Sequence, residues 1–236
     1  MKQQIKKINR LLVDHYGVPK RNKKLPDPVD MLIGTILSQN TNDKNSYKAF
    51  SNLKAKYYRW EEVAKLPLSK IEKIIKVAGL GKQKSKAIKK VLSNLLKQNG
   101  KISLNHFKKL DDAAIMQQLT GYNGVGIKTA SCVLLFSLDR NVCPVDTHVQ
   151  RTLNRIGLVK TASPEKTFYE INGNIPEGIA HSFHTNLIRL GREICKPSKP
   201  NCKICPLFEY CTFAEKNLAS VVSVKKNDFM LLDNIN

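Results

Sequence analysis

Six cysteines stand in the chain, and four of them fall within seventeen residues as C-x6-C-x2-C-x5-C: Cys195, Cys202, Cys205 and Cys211. Four thiolates at that spacing form a donor set for a soft metal centre, and spacing alone does not choose between an iron–sulfur cluster and zinc. The competing reading, a disulfide pair, needs an oxidising compartment. Cys132 and Cys143 stand in apolar surroundings and read as packed thiols. Lys196, Lys199 and Lys203 share the cysteine loops. A thiolate-held centre would fold those loops and aim the lysines at a phosphate backbone; the alternative is that the lysines only offset the charge of the centre.

A second constellation runs from Leu119 to Val149. It opens on the turn Gly121-Tyr122-Asn123-Gly124-Val125-Gly126, and Lys128 follows at the head of an apolar helix. Glycines let the backbone turn tightly, and amides at a helix head suit a phosphate. Lys128 is an ordinary surface lysine on one reading and an amine nucleophile on the other. A nucleophile needs a lowered pKa, which a helix N-terminus and a very basic protein both favour. Two aspartates compete to assist it. Asp139 lies eleven residues on, and if the helix continues that far the two are about 16 Å apart. Asp146 lies eighteen residues on, after the non-helical run Arg140 to Val145. Extended, that run spans about 20 Å and can return to the lysine end. Asp146 also precedes Thr147-His148 and reads as a helix N-cap, a role compatible with catalysis. His148, His181 and His184 read as structural.

The elements that must position these groups are helical. Residues 1–16 show Ile5, Ile8, Leu11 and Leu12 on one face of a basic amphipathic helix. Asp27-Pro28 starts a helix that is apolar nearly all round and therefore central. A second helix follows from Asp43 to Tyr57. Helical spacing recurs at Ile71, Ile74, Ile75 and Ala78 up to Gly79, and from Ile88 to Leu96, stopping at Gly100. Asp111-Asp112 opens another helix with Gly121 at its C-cap, and Ser163-Pro164-Glu165 a further one. Ile179 to Cys195 reads as a long helix with Phe183, Leu187 and Leu190 inside. Alternating strand patterns are absent, so the class is all-α.

The chain has 236 residues, enough for one large domain or two small ones. Forty Lys and Arg against nineteen Asp and Glu give a net charge of +21, which points to a polyanion or, more blandly, to a lysine-rich coat. Lys82, Lys84, Lys86, Lys89 and Lys90 form one run, of which two or three can face a single partner, since the helix turns. No apolar run is long enough to span a membrane, and the N-terminus lacks a secretory signal. A cytoplasmic, nucleoid-associated protein is the expectation.

Glycine hairpin, Lys128, Asp146 within Val145-Asp146-Thr147-His148, and the four-cysteine pattern together resemble the endonuclease III family of helix-hairpin-helix DNA glycosylases, in order from about Pro28 to Phe213. The resemblance implies two helical domains flanking a DNA-binding cleft. A six-helix barrel-like domain would occupy 23–136 and a [4Fe–4S] domain 1–22 plus 137–213, with 214–236 as a tail that either packs as a short helix or stays mobile. It implies that Gly124, Val125 and Gly126 bind phosphate through their amides, that Lys128 attacks the sugar C1′ of a flipped nucleotide, and that Asp146 stabilises positive charge or moves a proton. The implied substrates are oxidised or ring-saturated pyrimidines, and the implied partner is duplex DNA with damaged bases or abasic sites, met by a monomer.

Relatives that remove adenine or mismatched thymine lack the lysine, and the adenine-specific ones carry a further C-terminal domain; here 25 residues follow Cys211. Both points favour a bifunctional glycosylase/lyase over a monofunctional glycosylase; the pair Lys128 and Asp146 argues against a non-catalytic DNA-binding module, and a zinc-stabilised adaptor is the further alternative, which absorbance near 400 nm would exclude. The family usually has proline where this chain has Asn123, so the hairpin is less rigid. The loops that fill the vacated base space correspond to Ser38-Gln39-Asn40-Thr41 and Gly79-Leu80-Gly81-Lys82. Gln39, Asn40, Leu80, Lys82 and Lys199 are the expected further DNA contacts, Leu80 being either a wedge or a core residue.

Overall fold

The computed structural model describes residues 1–219, and every regular element among them is helical. The chain divides into two compact units. One is Asn22–Arg140; the other joins Met1–Arg21 to residues 141–219.

The Asn22–Arg140 unit is built around α2 (Pro28–Ser38). The Asp27 carboxylate accepts from the Val29 and Asp30 amides at 2.8 and 3.3 Å, and Pro28 follows with its φ already helical. Val29, Met31, Leu32, Ile33, Ile36 and Leu37 are all buried, as an all-round apolar helix must be. Full burial of each such side chain is worth roughly 1.5–3 kcal/mol. Helix α3 (Asp43–Lys56) starts from an Asn42 cap and packs on α2. Helix α4 (Trp60–Lys65) is too short to leave a periodic signal, and the Glu62 carboxylate holds its start by accepting from the Arg59 amide at 2.9 Å. Helix α5 (Leu68–Ile75) runs into a 3-10 turn, Lys76–Ala78, before Gly79. Helix α6 (Gly81–Asn99) ends on left-handed Gly100.

Helix α7 (Asp112–Thr120) is capped by Asp111. Gly121 holds the expected C-cap position, but with φ −67°, so the turn there does not require a glycine. Helix α8 (Ile127–Cys132) widens into a π-helical stretch, Val133–Ser137. The single α-helix expected to reach Asp139 is therefore not formed. Helical structure stops at Ser137, and Asp139 adopts a left-handed φ of 55°.

In the other unit, α1 (Lys2–Tyr16) buries Ile5, Ile8 and Leu12 as its pattern predicts. Leu11 is only half-buried; the fourth buried position is Asn9, whose Oδ1 accepts from the Ser182 hydroxyl at 3.0 Å. Helices α9 (Thr147–Arg155), α10 (Pro164–Asn172) and α11 (Ala180–Glu193) complete it. Helix α11 packs on both α1 and α9. A Cβ on Gly191 would stand 2.8 Å from the His148 Cβ, so that crossing requires glycine. Asn186 and Arg189 donate to the Gly17 and Tyr16 carbonyls, both at 3.2 Å, tying the end of α1 to α11. Of the tail expected at 214–236, residues 214–219 contain no helix, and the remainder lies outside the described residues. No helix among the described residues is long and apolar enough to cross a membrane.

Candidate nucleic-acid interface and thiol centre

The α7–α8 hairpin turns through Gly124, whose φ of 87° is left-handed. A side chain there would meet Ala87 of α6 with its Cβ at 2.7 Å. Gly126 is the N-cap of α8, and a Cβ on it would meet nothing within 4 Å. One glycine thus allows close packing inward, and the other leaves open space at the helix head. The Val125 amide donates to the Tyr122 carbonyl at 3.0 Å. That corrects the expectation that all three turn amides face a ligand, since one of them closes the turn. Lys128 lies in the first turn of α8 and is half-buried.

In the two loops expected to fill the vacated base space, Gln39 departs from its sequence reading. Gln39 does not extend outward; its Nε2 donates to the Gly124 carbonyl at 3.1 Å and to the Thr129 hydroxyl at 3.4 Å, bracing the hairpin. Asn40 is the exposed tip, with a left-handed φ of 50°. Leu80 is likewise left-handed, φ 49°, and 47% exposed. It is therefore not a core residue. A bulky non-glycine residue in that region is strained, and such strain gathers at functional sites.

Of the basic run, Lys82, Lys86 and Lys90 are exposed at successive i, i+4 positions on one face of α6. Lys89 donates to the Leu66 carbonyl. Lys84 is buried, with its Nζ 2.7 Å from the Leu37 carbonyl and 2.8 Å from that of Ala78. Burial pushes its amine down to about 8. Lys84 therefore does not belong to the surface stripe in which its sequence position suggested it.

Asp146, in the other unit, caps α9 by accepting from the Val149 amide at 2.8 Å, and the carboxylate is half-buried. His148 lies under Gly191 with its pKa lowered by burial, and His184 Nδ1 pairs with the Pro144 carbonyl at 2.8 Å; both are packing residues.

Cys195, Cys202, Cys205 and Cys211 line one pocket, whose wall includes Ile156, Leu190 and Phe208. Burial first, and the neighbouring cysteines after it, push the Cys205 thiol up to about 12. A bound cation deprotonates a thiol that coordinates it. Among the described residues, no three Cys, His, Asp or Glu side chains converge on a point that one metal ion could share. The four thiols around that one pocket are a donor set that fits a soft metal centre. The loop's organiser is Arg155, which the sequence did not flag. Its guanidinium donates to the Lys196 and Pro197 carbonyls at 2.7 and 2.9 Å and to the Cys195 sulfur at 3.6 Å, and it stacks 4.2 Å from the Phe213 ring centroid. Arg151 adds bonds to the Gly191 and Cys195 carbonyls at 2.7 and 3.0 Å. Lys199 and Lys203 are exposed on the same loops, Lys199 with a left-handed φ of 48°.

Comparison with known proteins gives a consistent result. Residues 33–177 match the family described as HhH-GPD superfamily base excision DNA repair protein. An Arabidopsis thaliana relative named as a DNA glycosylase is 36% identical over 189 residues, covering 76% of this chain; the chain spans 64% of that relative's length. Endonuclease III of Thermotoga maritima is 34% identical over 209 residues, covering 89% of this chain and 92% of that protein. Among solved structures, a trapped endonuclease III–DNA covalent intermediate superposes with a TM-score of 0.75 at 28% identity, over 90% of this chain and 96% of that one.

Proposed function

The chain belongs to the HhH-GPD superfamily of base excision DNA repair proteins and is an endonuclease III-like DNA glycosylase, and on that premise we propose that it is bifunctional, excising oxidised or ring-saturated pyrimidines and then nicking the abasic site as a monomer on duplex DNA. The observation that carries this reading is Lys128, held half-buried in the first turn of α8 directly after the glycine turn. An amine at that place can act as nucleophile, which monofunctional relatives with another residue there cannot do.

The neutral Lys128 amine attacks C1′ of an extruded nucleotide; the C1′–N bond breaks and the base leaves with the electron pair, taking up a proton. The bound amine then gives up one proton, its lone pair expels O4′ from C1′, O4′ takes up a proton, and a protonated imine forms with the opened sugar. Removal of a C2′ proton breaks the C3′–O bond, nicking the strand 3′ to the lesion, and hydrolysis of the imine returns the lysine. Asp146, fixed by its bond to Val149, offsets positive charge that develops on the sugar. Gly124 and Gly126 present the hairpin to a phosphate, and Lys82 and Lys199 add positive charge. Asn40 and Leu80 occupy the space of the extruded base, with Gln39 bracing the hairpin beneath them.

The four cysteines fit a [4Fe–4S] cluster, which when bound would cross-link the loop and hold Lys199 and Lys203 in place. Arg155 fixes the loop's backbone from the α9 side. The test is a set of lesion-bearing duplexes incubated with borohydride. Covalent protein–DNA adducts on oxidised-pyrimidine duplexes are expected. Excision without any trapped adduct would reduce the protein to a monofunctional glycosylase.

A further inference from the structure

Lys84 has no place in the chemistry above, yet it is 1% exposed, and burying an amine among apolar side chains is costly. A methionine would fill similar volume without that cost. What the amine gains is two carbonyls. Leu37 lies in the last turn of α2, and Ala78 closes the 3-10 turn ahead of Gly79. Carbonyls at helix ends lack intrahelical partners and carry partial negative charge. One Nζ answers both, at 2.7 and 2.8 Å. Each carbonyl lies just ahead of a strained loop residue: Leu37 three residues before left-handed Asn40, Ala78 two before left-handed Leu80. Lys84 thus joins the roots of two loops that are 40 residues apart in sequence, counting Asn40 to Leu80.

We propose that Lys84 is a positioning residue for base extrusion: its buried amine fixes the Asn40 loop and the Leu80 loop to each other, so that both enter the duplex as one rigid pair. This rests on the reading that those loops replace the extruded base. The consequence is an asymmetry between substrates. Extruding a paired base costs unstacking and unpairing energy that both loops must offset together. An abasic site has no base to extrude and needs the pairing of the loops far less.

The experiment compares wild type, Lys84→Met and Lys84→Gln, each normalised to folded protein by circular dichroism. The substrates are a duplex carrying 5,6-dihydrouracil with 2-aminopurine beside it, and a duplex with a preformed abasic site. In Lys84→Met, single-turnover excision should fall between about ten- and a hundredfold, the scale of a misplacement of about an ångström. The 2-aminopurine unstacking signal should fall with it, while nicking and borohydride trapping at the abasic site change little. Lys84→Gln, which keeps two N–H donors, should recover part of the loss. Equal loss on both substrates in both variants would make Lys84 merely structural and overturn the proposal, as would unchanged excision in Lys84→Met. If Lys84→Met does not fold, Lys84→Gln is judged by the same ratio of the two substrates. Failure of the wild type to trap at the abasic site would instead strike the proposed lyase function.

Discussion

Gly124 of the hairpin lies against Ala87 of α6 so closely that a Cβ added to the glycine would stand 2.7 Å from the alanine Cβ. Two constraints coincide at that glycine, the contact and a φ of 87°. Gly124→Ala should therefore cost about 1–3 kcal/mol, combining overpacking with left-handed strain. Duplex affinity should fall with it. Adding Ala87→Gly should restore only the packing share. Thermal melting and duplex titration of the single and double variants check this.

Lys128 and Asp146 should separate by chemistry. Lys128→Ala should abolish the borohydride adduct while leaving duplex affinity largely intact, because the glycine turn remains. Asp146→Asn keeps an oxygen for the Val149 amide, so folding should survive. Base excision should nevertheless slow by about a hundredfold or more, roughly 3 kcal/mol of transition-state stabilisation. Nicking at a preformed abasic site should suffer less. Normal excision by Asp146→Asn would leave that residue only its cap.

Cys202→Ala should remove iron, visible absorbance near 400 nm and much of the soluble yield, since Cys202 is the buried member of the four. Iron analysis of anaerobically purified protein reads the result. Stoichiometric zinc in the wild type would replace the cluster assignment with a zinc site.

Binding to undamaged duplex should weaken linearly on a log–log salt plot. Each of Lys82, Lys86 and Lys90 that contacts a phosphate should contribute a slope of about −0.9. Lys82→Ala, Lys86→Ala and Lys90→Ala together should flatten the plot by roughly two to three units. Lys84 replacements should leave the slope unchanged, because that amine faces backbone carbonyls inside the unit.

Burial lowers the Lys84 amine from 10.5 to about 8. The depressed value means that the folded protein releases the proton before the unfolded chain does. Its contribution to stability is full above about 10.5 and is lost as pH falls through about 8. The stability of wild type relative to Lys84→Met should therefore rise between those pH values. Denaturant titration followed by Trp60, the chain's one tryptophan and part of the same unit, measures the difference. A difference that stays flat with pH would mean that the amine is not depressed.

Where structure is written in neighbouring residues, the sequence was readable. The Asp27, Asp111 and Ser163 caps each act over two or three positions, and all three close hydrogen bonds as their spacing implies. The all-α class followed from periodicity in the same way. What was not readable depends on distant partners. Lys84 looks like its exposed neighbours until α2 and the 3-10 turn close over it. Arg155 is an unremarked helix-end cation until the cysteine loop folds onto it. Gln39 turns back toward Gly124 across 85 residues of sequence. The π-helical widening after Cys132 has no marker among the apolar residues that form it.

The pairing of α1 with α11 has a consequence for synthesis. Asn9 is bonded to Ser182, and Tyr16 to Arg189, each across 173 residues. A chain that leaves the ribosome N-terminus first has α1 in hand long before its partner exists. The continuous segment Asn22–Arg140 meets no such delay, because among the described residues the partners of its core have all emerged by residue 140. The unit that is translated first is thus completed last, and α1 must be carried with its apolar face uncovered until the chain has grown past Arg189.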